Sequence, residues 1–149
     1  MTRVVRAGIS DLETLVPMFD AYRMFYKRDS DLDGARAYLQ ARLERGEATV
    51  FLAFEDSGTA LGFALCYSTF SSVAMKPLVI LNDLYVIPEA RGQRIGEALI
   101  ATTVKLAKDS GAVGVQLETA HSNLSGQKLY ERLGFQREDL EYRVYFLKV

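Results

Sequence analysis

The sequence predicts an α/β domain built around one mixed central sheet, and three observations carry that prediction. Short β-branched and aromatic runs alternate with segments whose apolar residues recur at helical spacing. A strand–helix–strand succession between Leu78 and Ala120 calls for a right-handed crossover and a parallel strand pair. Ahead of it, two strand-like runs, Ala48 to Glu55 and Ala60 to Phe70, flank the turn Asp56-Ser57-Gly58-Thr59 and make a hairpin, so the sheet is mixed.

Element by element, Thr2 to Ile9 is β-branched and reads as a first strand. Ser10-Asp11-Leu12-Glu13 has the capping-box spacing, and Leu12, Leu15, Val16, Phe19 and Tyr22 or Arg23 then follow a helix, which Pro17 is expected to kink or divide. Asp31 to Asp33 look like a second helix start, with Ala35, Tyr38, Leu39, Arg42 and Leu43 at helical spacing and Gly46 as the stop. After the hairpin, Leu78 to Ile87 is apolar on both faces, which suits a central strand. Ile95 to Ser110 is a helix closed by Gly111, Val113 to Ala120 a buried strand, and Asn123 to Leu133 a short helix closed by Gly134. Phe135 to Val149 is expected to supply one or two final strands.

The 149 residues read as a single domain, 1–149. At 49% hydrophobic and 25% charged the composition is that of an ordinary globular protein. A net charge of −1 gives no global basic field for nucleic acid or a membrane surface. The one cysteine, Cys66, allows no intrachain disulfide and reads as inert packing, and with one histidine, His121, it makes no metal cluster. There is no apolar leader and no apolar run of about 18 residues, so the expected location is cytoplasmic.

The chemistry concentrates in two segments. In the first, a strand ends in Asn82-Asp83-Leu84-Tyr85-Val86 and is followed by the basic turn Arg91-Gly92-Gln93-Arg94-Ile95-Gly96 and a helix. The first N–H groups of a helix have no intrahelical partner and together carry roughly half a positive charge. Such a turn attracts a pyrophosphate, and Arg91 and Arg94 add side-chain charge suited to phosphate. The spacing is neither that of a dinucleotide fingerprint nor that of a P-loop. Asn82 and Asp83 interrupt an apolar strand, where polar groups are costly unless paired; a carboxylate there gains a raised pKa suited to a base. The second segment runs from His121 through Asn123, Gly126 and Tyr130 to Gly134 and Phe135.

Together the two segments resemble the GCN5-related N-acetyltransferase (GNAT) superfamily. Its cofactor turn, Q/R-x-x-G-x-G/A, is met by Arg91, Arg94 and Gly96, with Arg94 where the middle glycine usually stands. Its later helix, N-x-x-A-x-x-x-Y-x-x-x-G-F, is met by Asn123, Gly126 in the alanine place, Tyr130, Gly134 and Phe135. The resemblance implies a mostly antiparallel central sheet flanked by helices, with a parallel strand pair splayed around the cofactor. It also resembles, less specifically, the branch near yeast histone/polyamine acetyltransferases.

The resemblance further implies acetyl-coenzyme A as donor, with no metal. Backbone amides of Arg91, Gly92, Gln93, Arg94, Ile95 and Gly96 would cradle its pyrophosphate. Leu84, Tyr85 and Val86 would pair with the pantetheine arm like an added strand. Asn123 would contact the arm, and Tyr130 would protonate the leaving thiolate, a task that suits a neutral phenol. Asp83 or Glu118 would take the proton of the acceptor ammonium; where some relatives place a glutamate, this chain has Asn82. Tyr22, Phe25 and Tyr26 fall where an acceptor wall is expected, and aromatic faces hold cationic amines.

The resulting expectation is an N-acetyltransferase acting on a small primary amine, such as a polyamine or an amino acid derivative, by direct attack. Two other readings stay open: a protein lysine or N-terminal acceptor, and a non-catalytic acetyl-coenzyme A-binding regulatory module. Tyr142, Tyr145 and Phe146 of the last strand offer an edge for a homodimer.

Overall fold

A computed structural model describes all residues, Met1–Val149. Their contacts divide into two compact units, Met1–Glu118 and Thr119–Val149. The first holds β1 (Arg3–Arg6), α1 (Leu12–Phe25), α2 (Leu32–Glu44), β2 (Thr49–Phe54), β3 (Ala60–Ser71), β4 (Lys76–Val86), α3 (Ile95–Asp109) and β5 (Val115–Gln116). The second holds α4 (Leu124–Arg132).

The sheet runs β1-β2-β3-β4-β5 in sequence order. Its first three junctions are antiparallel and the last, β4 with β5, is parallel. This is the mixed, mostly antiparallel sheet that the sequence predicts. Alternation sorts its side chains between two layers. Val50, Leu52, Phe63 and Leu65 turn to α1 and α2, where they meet Leu15, Val16, Phe19, Ala35 and Leu39. The opposite face receives α3, against which the Cys66 Sγ lies 3.6 Å from Thr103 Oγ1.

The loop joining α1 to α2 is fastened from below. Buried Asp20 accepts from Ser30 Oγ at 2.7 Å and from the Asp31 N–H at 2.8 Å, which holds its carboxyl below the usual carboxylate range. Asp31 then caps α2 through the Gly34 N–H, and Gly46 ends that helix at φ +63°, as its sequence signals indicate.

Four expectations are corrected. Ser10 lies inside a single 3-10 turn, Ile9–Asp11, and the side chain that caps there is Asp11, which accepts from the Gly8 N–H at 2.8 Å. Pro17 sits within a continuous α1 and does not divide it, although its missing N–H leaves the Glu13 carbonyl without its helical donor. The strand over Val113 to Ala120 shrinks to Val115–Gln116, because β5 finds ladder partners only at Val79 and Ile80. Phe135–Val149 forms no strand: apolar alternation marks a segment that fits a sheet, but a strand exists only where a neighbouring edge pairs with it. Tyr142, Tyr145 and Phe146 there are exposed.

Candidate active site

The pairing between β3 and β4 slips once. Leu65 is opposite Asp83, and Cys66 is opposite Leu81, so Asn82 is an extra residue without a cross-strand partner. It is a β-bulge, a feature that bends a strand and re-aims its side chains. The bulge puts Asp83 on the face covered by α1 and α2, beside Leu65, whereas Leu81 stays with Cys66 on the α3 face.

On that face Asp83 is buried, at 7% exposure. Asn82 donates to its Oδ1 at 3.1 Å, and the Tyr22 hydroxyl of α1 hydrogen-bonds its carboxylate. Burial outweighs both bonds and raises the Asp83 pKa above the usual carboxylate value. Burial and the adjacent carboxylate push the Tyr22 phenol upward, so it remains a neutral donor. Tyr22 packs edge-on against Tyr26 at 5.0 Å and near Phe63 and Tyr85 at 5.9 and 6.4 Å. Tyr22, Tyr26, Asn82 and Asp83, singled out in the sequence, are therefore brought together. Glu118 is not: it is exposed beyond the end of β5.

Beside this cluster β4 has an open edge. The parallel ladder ends at Ile80 and Gln116, while β4 runs on to Val86. The Ile87 N–H donates to Leu61 O at 2.9 Å, which makes that pair hydrogen-bonded. Since antiparallel pairs alternate, the Tyr85–Phe63 pair is also bonded, and Leu84 and Val86 direct their N–H and C=O groups away from β3, into the gap. Of the three residues expected to face a pantetheine arm, Tyr85 is thus spent on the ladder. The Val86 carbonyl accepts from Arg91 Nε at 3.0 Å.

That bond fixes the Arg91 side chain at the end of β4. Its guanidinium turns away from the turn and lies 5.9 Å from the centre of the Tyr85 ring and 6.0 Å from that of Phe25, a cation over two aromatic faces. The turn itself keeps its expected form. Gly92 has φ +78° and Arg94 φ +64°, and Arg94 is the N-cap of α3 without a side-chain cap. The first intrahelical bond runs from the Ala98 N–H to Arg94 O at 3.1 Å, so the N–H groups of Ile95, Gly96 and Glu97 precede the helical ladder. A donor set of first-turn amides with an exposed Arg94 beside it suits a pyrophosphate. Arg94 occupies the left-handed conformation a glycine would adopt freely, which is the backbone reason the turn pattern has a glycine at this place.

In the second unit Asn123 caps α4, accepting from the Gly126 N–H at 3.2 Å and donating to Thr119 Oγ1 at 2.9 Å. A Cβ at Gly126 would stand 2.4 Å from Asn123 Nδ2, so the glycine leaves room for that cap. Tyr130 is half-buried on α4, and its ring meets Phe135 edge-on at 6.0 Å. The Phe135 N–H closes the helix end onto Tyr130 O at 3.0 Å. His121 is exposed, with its carbonyl taken by Gln127.

With this geometry in view, relatives decide the class. The sequence model of the acetyltransferase (GNAT) family matches residues 15–135. The chain belongs to that family. An uncharacterized N-acetyltransferase of Bacillus subtilis, YhfO, is 42% identical over 144 residues, which are 97% of this chain and 95% of the relative. A crystal structure of a probable acetyltransferase superposes with a TM-score of 0.92 at 38% identity, covering 99% of this chain and 97% of that one. The D-amino-acid N-acetyltransferase HPA3 of Saccharomyces cerevisiae is 32% identical over 93 residues, 62% of this chain and 58% of its own length. As a GNAT protein the chain is an acyltransferase.

Sequence reasoning missed one part of this GNAT domain. Tyr38 and Arg42 of α2 and Tyr67 of β3 line a cavity under the C-terminal end of α2. A signal was present: Arg42 stands at the helical spacing of Ala35, Tyr38 and Leu39, where an apolar residue is the ordinary choice. Cys66, by contrast, is as expected. It is 1% exposed, and burial pushes its thiol up to about 11, so it is inert packing. No group of His, Cys, Asp and Glu side chains could hold a metal ion.

Proposed function

We propose that this GNAT protein is an N-acetyltransferase that moves an acetyl group from acetyl-coenzyme A to a primary amine of a small molecule, by direct attack, within one domain spanning residues 1–149. The observation that carries the reading is Asp83: a buried carboxylate of raised pKa, set by the Asn82 bulge next to the open edge of β4. A small-molecule acceptor is supported by the kind of substrate named for the yeast relative, a D-amino acid. The exposed Tyr142, Tyr145 and Phe146 support a homodimer as its assembled form.

Bound acetyl-coenzyme A supplies an acetyl carbon activated as a thioester. The N–H groups at the start of α3 and the Arg94 side chain hold its pyrophosphate. Leu84, with both backbone groups, and Val86, with its N–H, bind the pantetheine arm as an added strand would. The Asp83 carboxylate takes the proton of the acceptor ammonium, so that a neutral amine attacks. Tyr22 donates to that carboxylate and fixes its orientation, while Tyr22 and Tyr26 present aromatic faces to the cationic amine. The Tyr130 hydroxyl gives its proton to the departing sulfur.

The test is free-thiol release from acetyl-coenzyme A across a panel of amines and a lysine peptide. Wild type is compared with Tyr130→Phe over a pH series. Release that depends on a small amine and drops in the variant supports the proposal. Cofactor binding without release for any acceptor contradicts it and favours a regulatory module, and release with the peptide alone moves the acceptor class to proteins.

A further inference from the structure

Under the C-terminal end of α2 lies a cavity of about 560 Å³, lined among others by Tyr38, Arg42, Glu47, Thr49, Tyr67 and Ser68. Arg42 is its most unusual member. The Nε is buried and makes no hydrogen bond. Glu47 Oε2 stands 3.4 Å from it, an ion pair without hydrogen-bond geometry. The guanidinium is stacked 4.8 Å above the Tyr38 ring, which fixes its plane. A buried N–H without an acceptor costs free energy, and a guanidinium held flat presents a fork matched to a carboxylate.

The surroundings favour an anion over a cation. Glu47 is shared between Arg42 and Arg45, the latter at 3.8 Å, so two guanidinium groups face one carboxylate. The hydroxyls of Tyr38 and Tyr67 hydrogen-bond each other at the cavity wall. Burial, the Tyr38 hydroxyl and the Asp83 charge hold the Tyr67 phenol neutral, able to donate.

The cavity and the bulge share one face of the sheet, and the Asp83 charge reaches the Tyr67 phenol at the cavity wall. Tyr67 lies two residues from Leu65 on the same face of β3, about 7 Å along the strand, and Leu65 is the cross-strand partner of Asp83. The order Arg42, Tyr67, Asp83 on that face sets the anchor for a carboxylate and the base for an amine apart from each other.

We infer that this cavity is a subsite for the carboxylate of the acceptor, held by the Arg42 fork, and that the acceptor is an amino acid whose amine stands several bonds from that carboxylate. The inference rests on the N-acetyltransferase reading above and selects the amino acid class over the polyamines, which would bring a second cation to Arg42.

The experiment pairs two measurements. The first is the ratio of kcat/KM for ε-aminocaproate over cadaverine, which differ by a carboxylate in place of an ammonium group. It is taken with wild type, Arg42→Gln and Arg42→Lys. The second is calorimetric binding of the product-like N-acetyl-ε-aminocaproate to the same three proteins, with thermal melts as the control for folding. The ratio in wild type is expected to favour ε-aminocaproate by about tenfold or more, to fall about tenfold in Arg42→Gln through KM, and to recover in part in Arg42→Lys. Equal or faster turnover of cadaverine by wild type, or a ratio unchanged by Arg42→Gln, overturns the inference. If no amine supports thiol release, the N-acetyltransferase reading fails, and the calorimetry alone decides the subsite. Binding to wild type that is lost in Arg42→Gln upholds it, and no binding to wild type overturns it.

Discussion

Leu81 and Asp83 stand two residues apart on β4 and face opposite sides of the sheet. In a regular strand they would share a face. The bulge at Asn82 breaks that parity, leaving Leu81 against Cys66 on the α3 side and carrying Asp83 to Leu65 and the α1–α2 side. One inserted residue thus delivers a carboxylate to an apolar layer, where its pKa is raised and the Tyr22 hydroxyl meets it.

This arrangement costs stability. Burial raises the Asp83 pKa above its unfolded value, so the folded state binds its proton more tightly than the unfolded state does. Stability is greatest below the unfolded pKa and falls as pH rises through the folded one. Asp83→Asn removes the charge and keeps the shape. Its melting temperature is expected to exceed that of wild type at neutral pH, with the gain fading as pH falls to the ordinary carboxylate range. Thermal melts over a pH series check this.

Tyr22 tunes the same carboxylate from the other side. Its hydrogen bond lowers the Asp83 pKa against the upward push of burial. Tyr22→Phe removes that bond, and the acidic limb of the kcat/KM profile is expected to move to higher pH. A limb that stays in place, or moves down, would show that a different group governs it.

Much of this was legible in the sequence. The strand–helix–strand unit, the hairpin and the stops at Gly46, Gly111 and Gly134 are local signals, and local signals survive folding. Asn82 and Asp83 stood out because polar residues interrupted an apolar run, and Arg91 to Gly96 because glycines preceded a helix. What could not be read was pairing. The bulge exists only as a slip between β3 and β4, and β5 is short because it parts from β4 after Ile80, although β4 runs on to Val86. The strand expected after Phe135 fails for the same reason, as side-chain alternation does not say which edge will pair. The partners of the Arg91 side chain, Val86 O, Tyr85 and Phe25, have no local signal either, since they converge only in three dimensions.

Arg94 stores strain at the cofactor turn. At φ +64° it pays for a left-handed conformation that glycine enters freely. Arg94→Gly is expected to stabilise the protein by about 1 kcal/mol, raising its melting temperature by roughly 2–4 °C. The same change removes a cation beside the α3 N-terminus, so KM for acetyl-coenzyme A is expected to rise several-fold. Melting and steady-state kinetics on one preparation read both effects.

Gly62 guards the geometry of the open edge. A Cβ there would stand 2.4 Å from the Tyr85 carbonyl and 3.2 Å from Val86 Cα, both backbone atoms that cannot swing aside. Gly62→Ala is expected to cost about 1–3 kcal/mol and to push β4 where Leu84 and Val86 face the gap. Urea unfolding measures the first effect, and affinity for coenzyme A, which is expected to weaken, measures the second.

The most direct measurement is acceptor-dependent thiol release by Asp83→Asn at saturating amine and acetyl-coenzyme A, with cofactor affinity determined on the same protein. If Asp83 takes the proton of the amine, turnover falls by about 100-fold or more while cofactor affinity stays near that of wild type. Turnover within about twofold of wild type, well short of what loss of a general base costs, would contradict the role assigned to the carboxylate at the bulge.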